Sequence, residues 1–144
     1  MSAEFNYIGT AAEHFVAYDL WRRQIECCMT AANMEYDLIA FLEEPVRIQV
    51  KATSGLKERM SGEKKYRNVY DRYRFDCTRG RKGYDNVDIF ALVALDKLAI
   101  MYVPYSGRGY YTFKDEDFSS PMLSDVSWFY CMERLYGGEE QEDE

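Results

Sequence analysis

The sequence predicts a small α/β domain, and three stretches carry that expectation. Residues 36–53 alternate apolar and polar side chains on both sides of a charged, proline-bearing break, as two strands joined by a tight loop do. Residues 87–103 form two nearly continuous apolar runs around Asp96-Lys97, the mark of a second hairpin of buried strands. Ahead of both, Glu13, Val16, Ala17 and Leu20 share one stripe of an amphipathic helical segment.

Taken in order, Phe5 to Gly9 is a lead-in and Thr10 is the expected N-cap of a helix to about Arg23. Thr10-Ala11-Ala12-Glu13 matches a capping box, in which Glu13 reaches back to the Thr10 amide. The same stripe points Glu13 at the sheet, so the residue has both a structural and a functional reading. His14 has no metal-pairing neighbour and is read as a surface or packing residue. Ile25 to Thr30 suits a first strand, and Ala31 to Glu35 a turn.

In the first hairpin, Tyr36, Leu38, Ala40 and Leu42 lie on one face, as do Val46, Ile48, Val50 and Ala52. The opposite faces carry Asp37, Ile39 and Phe41, then Arg47, Gln49, Lys51 and Thr53. A three-residue loop at 43–45 pairs Leu42 with Val46 and sets Asp37 opposite Lys51. Their β-carbons are then about 5 Å apart, with Asp37 and Gln49 on a diagonal of about 7 Å. An even loop would turn Gln49 and Lys51 to the opposite face.

Beyond Thr53, residues 54–63 read as a polar, glycine-bearing loop, 66–78 as a strand or extended arm, and 79–83 as a basic turn. Pro104 ends the second hairpin. Residues 105–111 read as a loop, with Arg108 a phosphate-contact candidate. Ser124 or Asp125 is the expected cap of a helix through Leu135. Its inner side would hold Val126, Phe129, Cys131 or Met132, and Leu135; Gly137-Gly138 stops it. One domain spans 1–138, and Glu139–Glu144 is expected to be a disordered acidic tail.

Composition limits the classes of function. A chain of 144 residues, 47% hydrophobic and 16% aromatic, can build a core as a single domain. Its longest apolar run, Ile89 to Leu95, is far short of the roughly 20 residues of a membrane helix. The Met1-Ser2-Ala3-Glu4 start lacks signal-peptide character, which points to a cytoplasmic protein without membrane attachment. Cys27, Cys28, Cys77 and Cys131 contain no CxxC, so buried thiols are expected rather than zinc ligands or disulfides.

The net charge of −7 hides a polarised chain. Residues 47–82 hold twelve Lys/Arg against four acids, whereas the remainder holds six against twenty-one. A basic region on an acidic background can orient a protein on a polyanion. Tyrosines interleave the cations from Lys64 to Phe75, a pattern suited to stacking on bases while arginines neutralise phosphates. The DNA-binding candidates are Lys57, Arg59, Lys64, Lys65, Arg67, Arg72, Arg74, Arg79, Arg81 and Lys82. The plain alternative is a solvated loop.

Asp37, eleven intervening residues and Gln49-Val50-Lys51 on a strand, with Glu13 on a preceding helix, resemble the core of the PD-(D/E)XK nuclease superfamily. The pattern is similar to its homing-endonuclease-like branch, where glutamine replaces the second acid. Asp88 to Val93 and Met101 to Pro104 are similar to the last two strands of that group. The resemblance covers roughly residues 8 to 105. Two departures stand out: no proline precedes Asp37, and glutamine removes one metal-binding charge.

The resemblance implies a restriction-endonuclease-like core, a central mixed sheet of about four to five strands flanked by helices. It implies hydrolysis of DNA phosphodiester bonds with Mg²⁺, or Mn²⁺ in its place. Asp37, the Gln49 side-chain oxygen and the Val50 carbonyl would hold the ion, Glu13 would assist, and Lys51 would serve the attacking water and developing charge. Cutting both strands implies a homodimer or higher homo-oligomer. Asp88 is a secondary candidate ligand, more simply a turn group. The alternatives are a Holliday-junction resolvase-type nuclease, an inactive nuclease-fold module that binds DNA or protein, and a regulator that mimics DNA through its tail. For the centre itself, the plain alternative is an Asp37–Lys51 salt bridge.

Overall fold

The computed structural model describes residues 3–31, 34–55, 72–78 and 83–137. In chain order it contains α1 (Ala3–Arg22), β1 (Cys27–Met29), β2 (Leu38–Phe41), β3 (Pro45–Thr53), β4 (Arg72–Asp76), β5 (Ile89–Ala94), β6 (Ala99–Pro104), β7 (Tyr110–Lys114), a 3-10 turn (Asp115–Phe118) and α2 (Leu123–Tyr136). The expected loop at 56–63, the basic arm up to residue 71, the turn at 79–82 and the acidic tail lie outside the described residues.

α1 begins well before the expected cap, so Thr10 is internal and the capping box does not form. The single glycine in this first stretch, Gly9, costs a helix only about 1 kcal/mol, and nothing else there breaks one. At the other end Gln24 turns left-handed at φ 65°. The Ile25 amide then bonds the Leu20 carbonyl (2.9 Å) and the Gln24 amide the Trp21 carbonyl (2.8 Å). This double closure satisfies the last carbonyls and sends the chain back toward β1.

Five strands form one sheet in the order β1-β2-β3-β5-β6. The β3–β5 pair is parallel and the others are antiparallel. The fold is therefore α/β on a mixed sheet. Leu38 pairs with Ile48, Ala40 with Val46, and Phe41 with Pro45. The loop is thus Leu42-Glu43-Glu44, still of odd length, but the register has slid from the expected one, and Ile39 faces Arg47 rather than Gln49. Proline tolerates the slide. The Phe41 amide bonds the Glu26 carbonyl on the β1 side, so Phe41 and Pro45 form a non-hydrogen-bonded pair across β2–β3. A missing N–H costs nothing in that position.

Two cores share the sheet. On one face Ala12, Val16 and Leu20 of α1 and Trp128 and Cys131 of α2 pack on Leu38, Ala40, Val46, Ile48, Val50, Ile89, Ala91 and Val93. On the other, Tyr73, Phe75 and Phe118 pack on Phe90, Leu92 and Ala94. β5 is buried throughout because its side chains feed both cores alternately. The second face is covered by a two-stranded sheet of β4 and β7, with Arg74 opposite Thr112 and Phe75 opposite Tyr111. β7 is a strand where the sequence reading placed the end of a loop.

α2 also differs from expectation. Met122 is its N-cap, and Ser124 and Asp125 lie in the first turn. There they receive Arg23 Nη2, at 2.9 Å from Ser124 Oγ and 2.8 Å from Asp125 Oδ1. These bonds set the roll of α2, so Trp128 and Cys131 turn inward while Val126 and Phe129 are 62% and 65% exposed. Asp19, only 3% exposed, accepts from Arg22 (2.8 Å), Arg23 (3.0 Å) and the Tyr102 hydroxyl (2.7 Å), which locks α1 to β6. All four cysteines are free; Cys28 is exposed on short β1, contrary to the expectation of buried thiols.

Candidate active site

β3 is the central strand, and its backbone edges are divided between two neighbours. The Arg47 and Thr53 carbonyls accept from Asp88 and Leu95 amides on the β5 side, so the odd residues of β3 bond toward β5. The even residues face β2, whose ladder ends at Leu38. Val50 lies one step beyond that end. Its amide donates to Asp37 Oδ2 at 2.9 Å, and by strand alternation its carbonyl opens on the same edge.

Asp37 reaches this place through an irregularity. Its amide donates to the Ile48 carbonyl at 2.8 Å, although Ile48 is already the partner of Leu38. Two consecutive residues thus oppose one, which is a β-bulge, and bulges re-aim side chains where pairing stops. The Asp37 carbonyl accepts the Thr30 amide at 3.0 Å, fixing the residue from the β1 side as well. The carboxylate accordingly lies at the rim where β2 and β3 part.

Charges converge there from both faces. Burial raises the Asp37 pKa, opposed by the Val50 amide and the Lys51 cation. On the helix side Glu13 is pushed up to about 7, first by burial and then by the negative charge of Asp37. Glu13 is half-buried on the Val16–Leu20 stripe, and with no capping box its side chain is not tied to the Thr10 amide. The opposing face of β3 carries Arg47, Gln49 and Lys51, each half-buried. Lys51 Nζ lies 5.3 Å from the centroid of the Tyr84 ring, within cation–π range. Lys51 also opposes the effect of burial on Cys77, whose thiol is pushed up to about 11.

The structure therefore brings Asp37 into electrostatic reach of both Glu13 and Lys51. Gln49 lies on the Lys51 face, adjacent to Val50, with no hydrogen bond to its side chain among the described residues. Asp88 is occupied elsewhere: it accepts the Arg47 amide at 2.8 Å and grips the Arg47 guanidinium at two 3.1 Å contacts. It clamps β3 to β5. Of the basic candidates, Arg72 and Arg74 are on β4, while Lys57, Arg59, Lys64, Lys65, Arg67, Arg79, Arg81 and Lys82 lie outside the described residues.

Tyr84 was not singled out from the sequence. Its loop is held by the Glu35 carboxylate, which accepts the Asp85 and Asn86 amides at 3.0 and 3.1 Å, and by Tyr105, whose hydroxyl accepts the Tyr84 amide at 2.9 Å. Gly83 makes room for that hydroxyl, since a β-carbon there would lie 2.5 Å from it. No local pattern announces such a residue, because its role comes from packing against Lys51 across the fold.

The candidate donors are all oxygens: the carboxylates of Asp37 and Glu13, the Gln49 side-chain oxygen and the Val50 carbonyl. Such a set fits a hard divalent cation. Among the described residues no three His, Cys, Asp or Glu side chains come together, so a site here depends on the amide and main-chain oxygens.

Across the whole chain the arrangement resembles a known one. The bacterial homing endonuclease I-Ssp6803I superposes with a TM-score of 0.63 over 95% of this chain and 96% of its own, at 15% identity. The chain shares the fold of that protein. The Holliday junction resolvase Hjc of the archaeal hyperthermophile Archaeoglobus fulgidus matches at a TM-score of 0.47, with 14% identity over 83% of this chain and 95% of its own. No family model and no curated protein matches the sequence. In this shared fold the rim where β2 and β3 part is the convergence point of the charged groups described above. Among the described residues no helix is long and apolar enough to cross a membrane.

Proposed function

We propose that the chain is a Mg²⁺-dependent DNA endonuclease of the homing-endonuclease-like kind. The observation that carries this reading is the position of Asp37. Its carboxylate sits at the end of a strand pair, between a helix-borne acid titrating near 7 and a lysine. Two carboxylates that burial and mutual repulsion disfavour in their charged forms are stabilised by a bound cation.

In this reading Asp37, Gln49 and the Val50 carbonyl hold Mg²⁺, with Mn²⁺ as a substitute, and Glu13 returns part of the charge that glutamine lacks. The ion supplies Lewis-acid stabilisation of charge on the phosphate and a more acidic water. Lys51, steadied by the Tyr84 face, orients the attacking water and offsets charge developing on the phosphate. The Val50 amide fixes the Asp37 carboxylate before substrate arrives. The clamp between Arg47 and Asp88 keeps the strand bearing Gln49 and Lys51 in register with β5.

Cutting both strands of a duplex takes two such sites and therefore at least two copies. The exposed Val126, Phe129 and Tyr130 on α2 supply an apolar face for self-association.

The test is incubation of the protein, and of Asp37→Asn, with supercoiled plasmid, linear duplex and a four-way junction in Mg²⁺ or EDTA. Cleavage in Mg²⁺ alone, lost in the variant, is the expected result. Preference for the junction would favour a resolvase-type nuclease. Binding without cleavage in every preparation would leave a DNA-binding module on a nuclease fold.

A further inference from the structure

The ribbon of β4 and β7 has a sharply divided pair of faces. Tyr73, Phe75, Tyr111 and Phe113 turn inward onto the aromatic core around Phe118. Arg72, Arg74 and Asp76 turn outward from β4, and Tyr110, Thr112 and Lys114 turn outward from β7. Two features of the outer face bear on what it could bind. Arg72 and Lys114 are direct cross-strand partners, and like charges in that relation destabilise a sheet. Arg74 lies 4.6 Å from the centroid of the half-exposed Tyr110 ring, which presents a flat cation–aromatic surface to solvent. Of the acids nearby, Asp76 pairs with Arg74 (3.4 Å) and Asp115 with Lys97 (2.5 Å), Asp117 accepts the Lys114 amide (2.9 Å), and Glu116 is exposed two residues beyond Lys114.

We infer that the outer face of this ribbon is a subsite for the phosphate backbone of duplex DNA flanking the cut. The inference rests on the nuclease reading and assigns it a second contact region, supplied partly by β7. Its placement follows from the fold. β4 ends beside Cys77, which packs in the same core as Tyr84, the ring 5.3 Å from Lys51 Nζ, so one end of the ribbon adjoins the candidate active site. From Cys77 back to Arg72 the strand advances about 17 Å, at roughly 3.4 Å per residue. Duplex DNA advances about 3.4 Å per phosphate of one strand. With the ribbon laid along the duplex axis, as this proposal has it, the Arg72–Lys114 pair would meet phosphates about five base pairs from the scissile one, where the polyanion would relieve the repulsion between them.

The double variant Arg72→Gln/Lys114→Gln tests this. Binding to a linear duplex is measured in Ca²⁺ over a range of salt, with ethylation interference on the bound DNA and a thermal melt of the free protein. Each lost phosphate contact is expected to lower affinity about eightfold at 0.1 M salt and to reduce the salt slope by about 0.9. Interference should disappear about five positions from the cut, and the melting temperature should stay level or rise. Wild-type affinity and slope in the variant would overturn the ribbon subsite and leave the nuclease reading intact. Lost binding with a lowered melting temperature would reassign the pair to holding the ribbon together and would also overturn it. A wild-type protein that binds no duplex would remove both readings.

Discussion

The Asp37 carboxylate accepts the Val50 amide at 2.9 Å, in the gap left where β2 stops pairing with β3. A side chain has replaced the next rung of the ladder. The bond satisfies a main-chain donor that the shorter strand abandons, and it holds the carboxylate still. One residue therefore has a structural duty and a proposed chemical one, and substitutions can separate them.

Asp37→Asn keeps an oxygen that can accept from Val50, whereas Asp37→Ala leaves the amide unpaired at a cost of about 1–3 kcal/mol. Denaturant melts should therefore rank Asn above Ala in stability. Both should lose Mg²⁺-dependent cleavage by more than about a hundredfold, as expected if several kcal/mol of transition-state stabilisation depend on this ligand. An Asn variant that cuts at the wild-type rate would exclude Asp37 from the chemistry.

Glu13 gives the fold a pH dependence with a definite sign. Its pKa rises from 4.5 to about 7 on folding, so the native state favours the protonated acid. The associated stability is complete below pH 4.5 and is lost as pH rises through about 7. For a half-exposed group, screening reduces the effect to about 1–2 kcal/mol. In EDTA, urea melts should show this loss for the wild type and not for Glu13→Gln. A divalent ion should restore it, with a larger rise in melting temperature at pH 8 than at pH 5.5.

The clamp between Arg47 and Asp88 predicts a different outcome. Asp88→Ala removes the carboxylate that accepts the Arg47 amide and a two-point ion pair at the start of the parallel β3–β5 ladder. A loss of about 1–3 kcal/mol in chemical denaturation is expected. Where the variant remains folded, Mg²⁺-dependent cleavage should persist at the wild-type metal requirement. A raised metal requirement would make Asp88 a ligand after all.

Asp19 should be costlier. It is buried beneath two arginines and a tyrosine hydroxyl, and its removal leaves Arg23 Nε and the Tyr102 hydroxyl without their acceptor, though Arg23 keeps Ser124 and Asp125. Asp19→Ala is expected to cost about 2–3 kcal/mol, mostly from the unsatisfied buried donors. A loss under 1 kcal/mol in urea denaturation would contradict the locking role.

Self-association is tested on α2. Val126→Lys combined with Phe129→Lys places charge on an exposed apolar face without touching the core. Sedimentation should show the wild type as a dimer or larger and the variant as a monomer. Plasmid assays should show the variant nicking where the wild type linearises. A wild type that sediments as a monomer at assay concentration would rule this out.

Much of this architecture was legible in the sequence, for identifiable reasons. The strands over 38–53 and 89–104 were readable because alternation and continuous apolarity are local signals. The β2–β3 register was not, because Pro45's tolerance for a non-hydrogen-bonded position and the bulge at Asp37 emerge only from pairing. The parity of the loop survived, so Gln49 and Lys51 remain on one face. The roll of α2 was misread because Trp128 and Cys131 face inward on account of Arg23 contacts from α1, more than a hundred residues away in sequence. β7 was missed because residues 105–111 look like a loop until β4 supplies a partner. Of the site, the positions of Asp37, Glu13 and Lys51 were within reach of pattern reading. The aromatic support from Tyr84 was not.

The two hydrophobic cores have one sheet between them and no side chain in common. Mutations among Phe75, Phe113 and Phe118 can therefore reshape or loosen the outer ribbon while the helices keep their grip on β3. A protein divided in this way can have one layer remodelled while the strand bearing Gln49 and Lys51 keeps its pairing with β2 and β5.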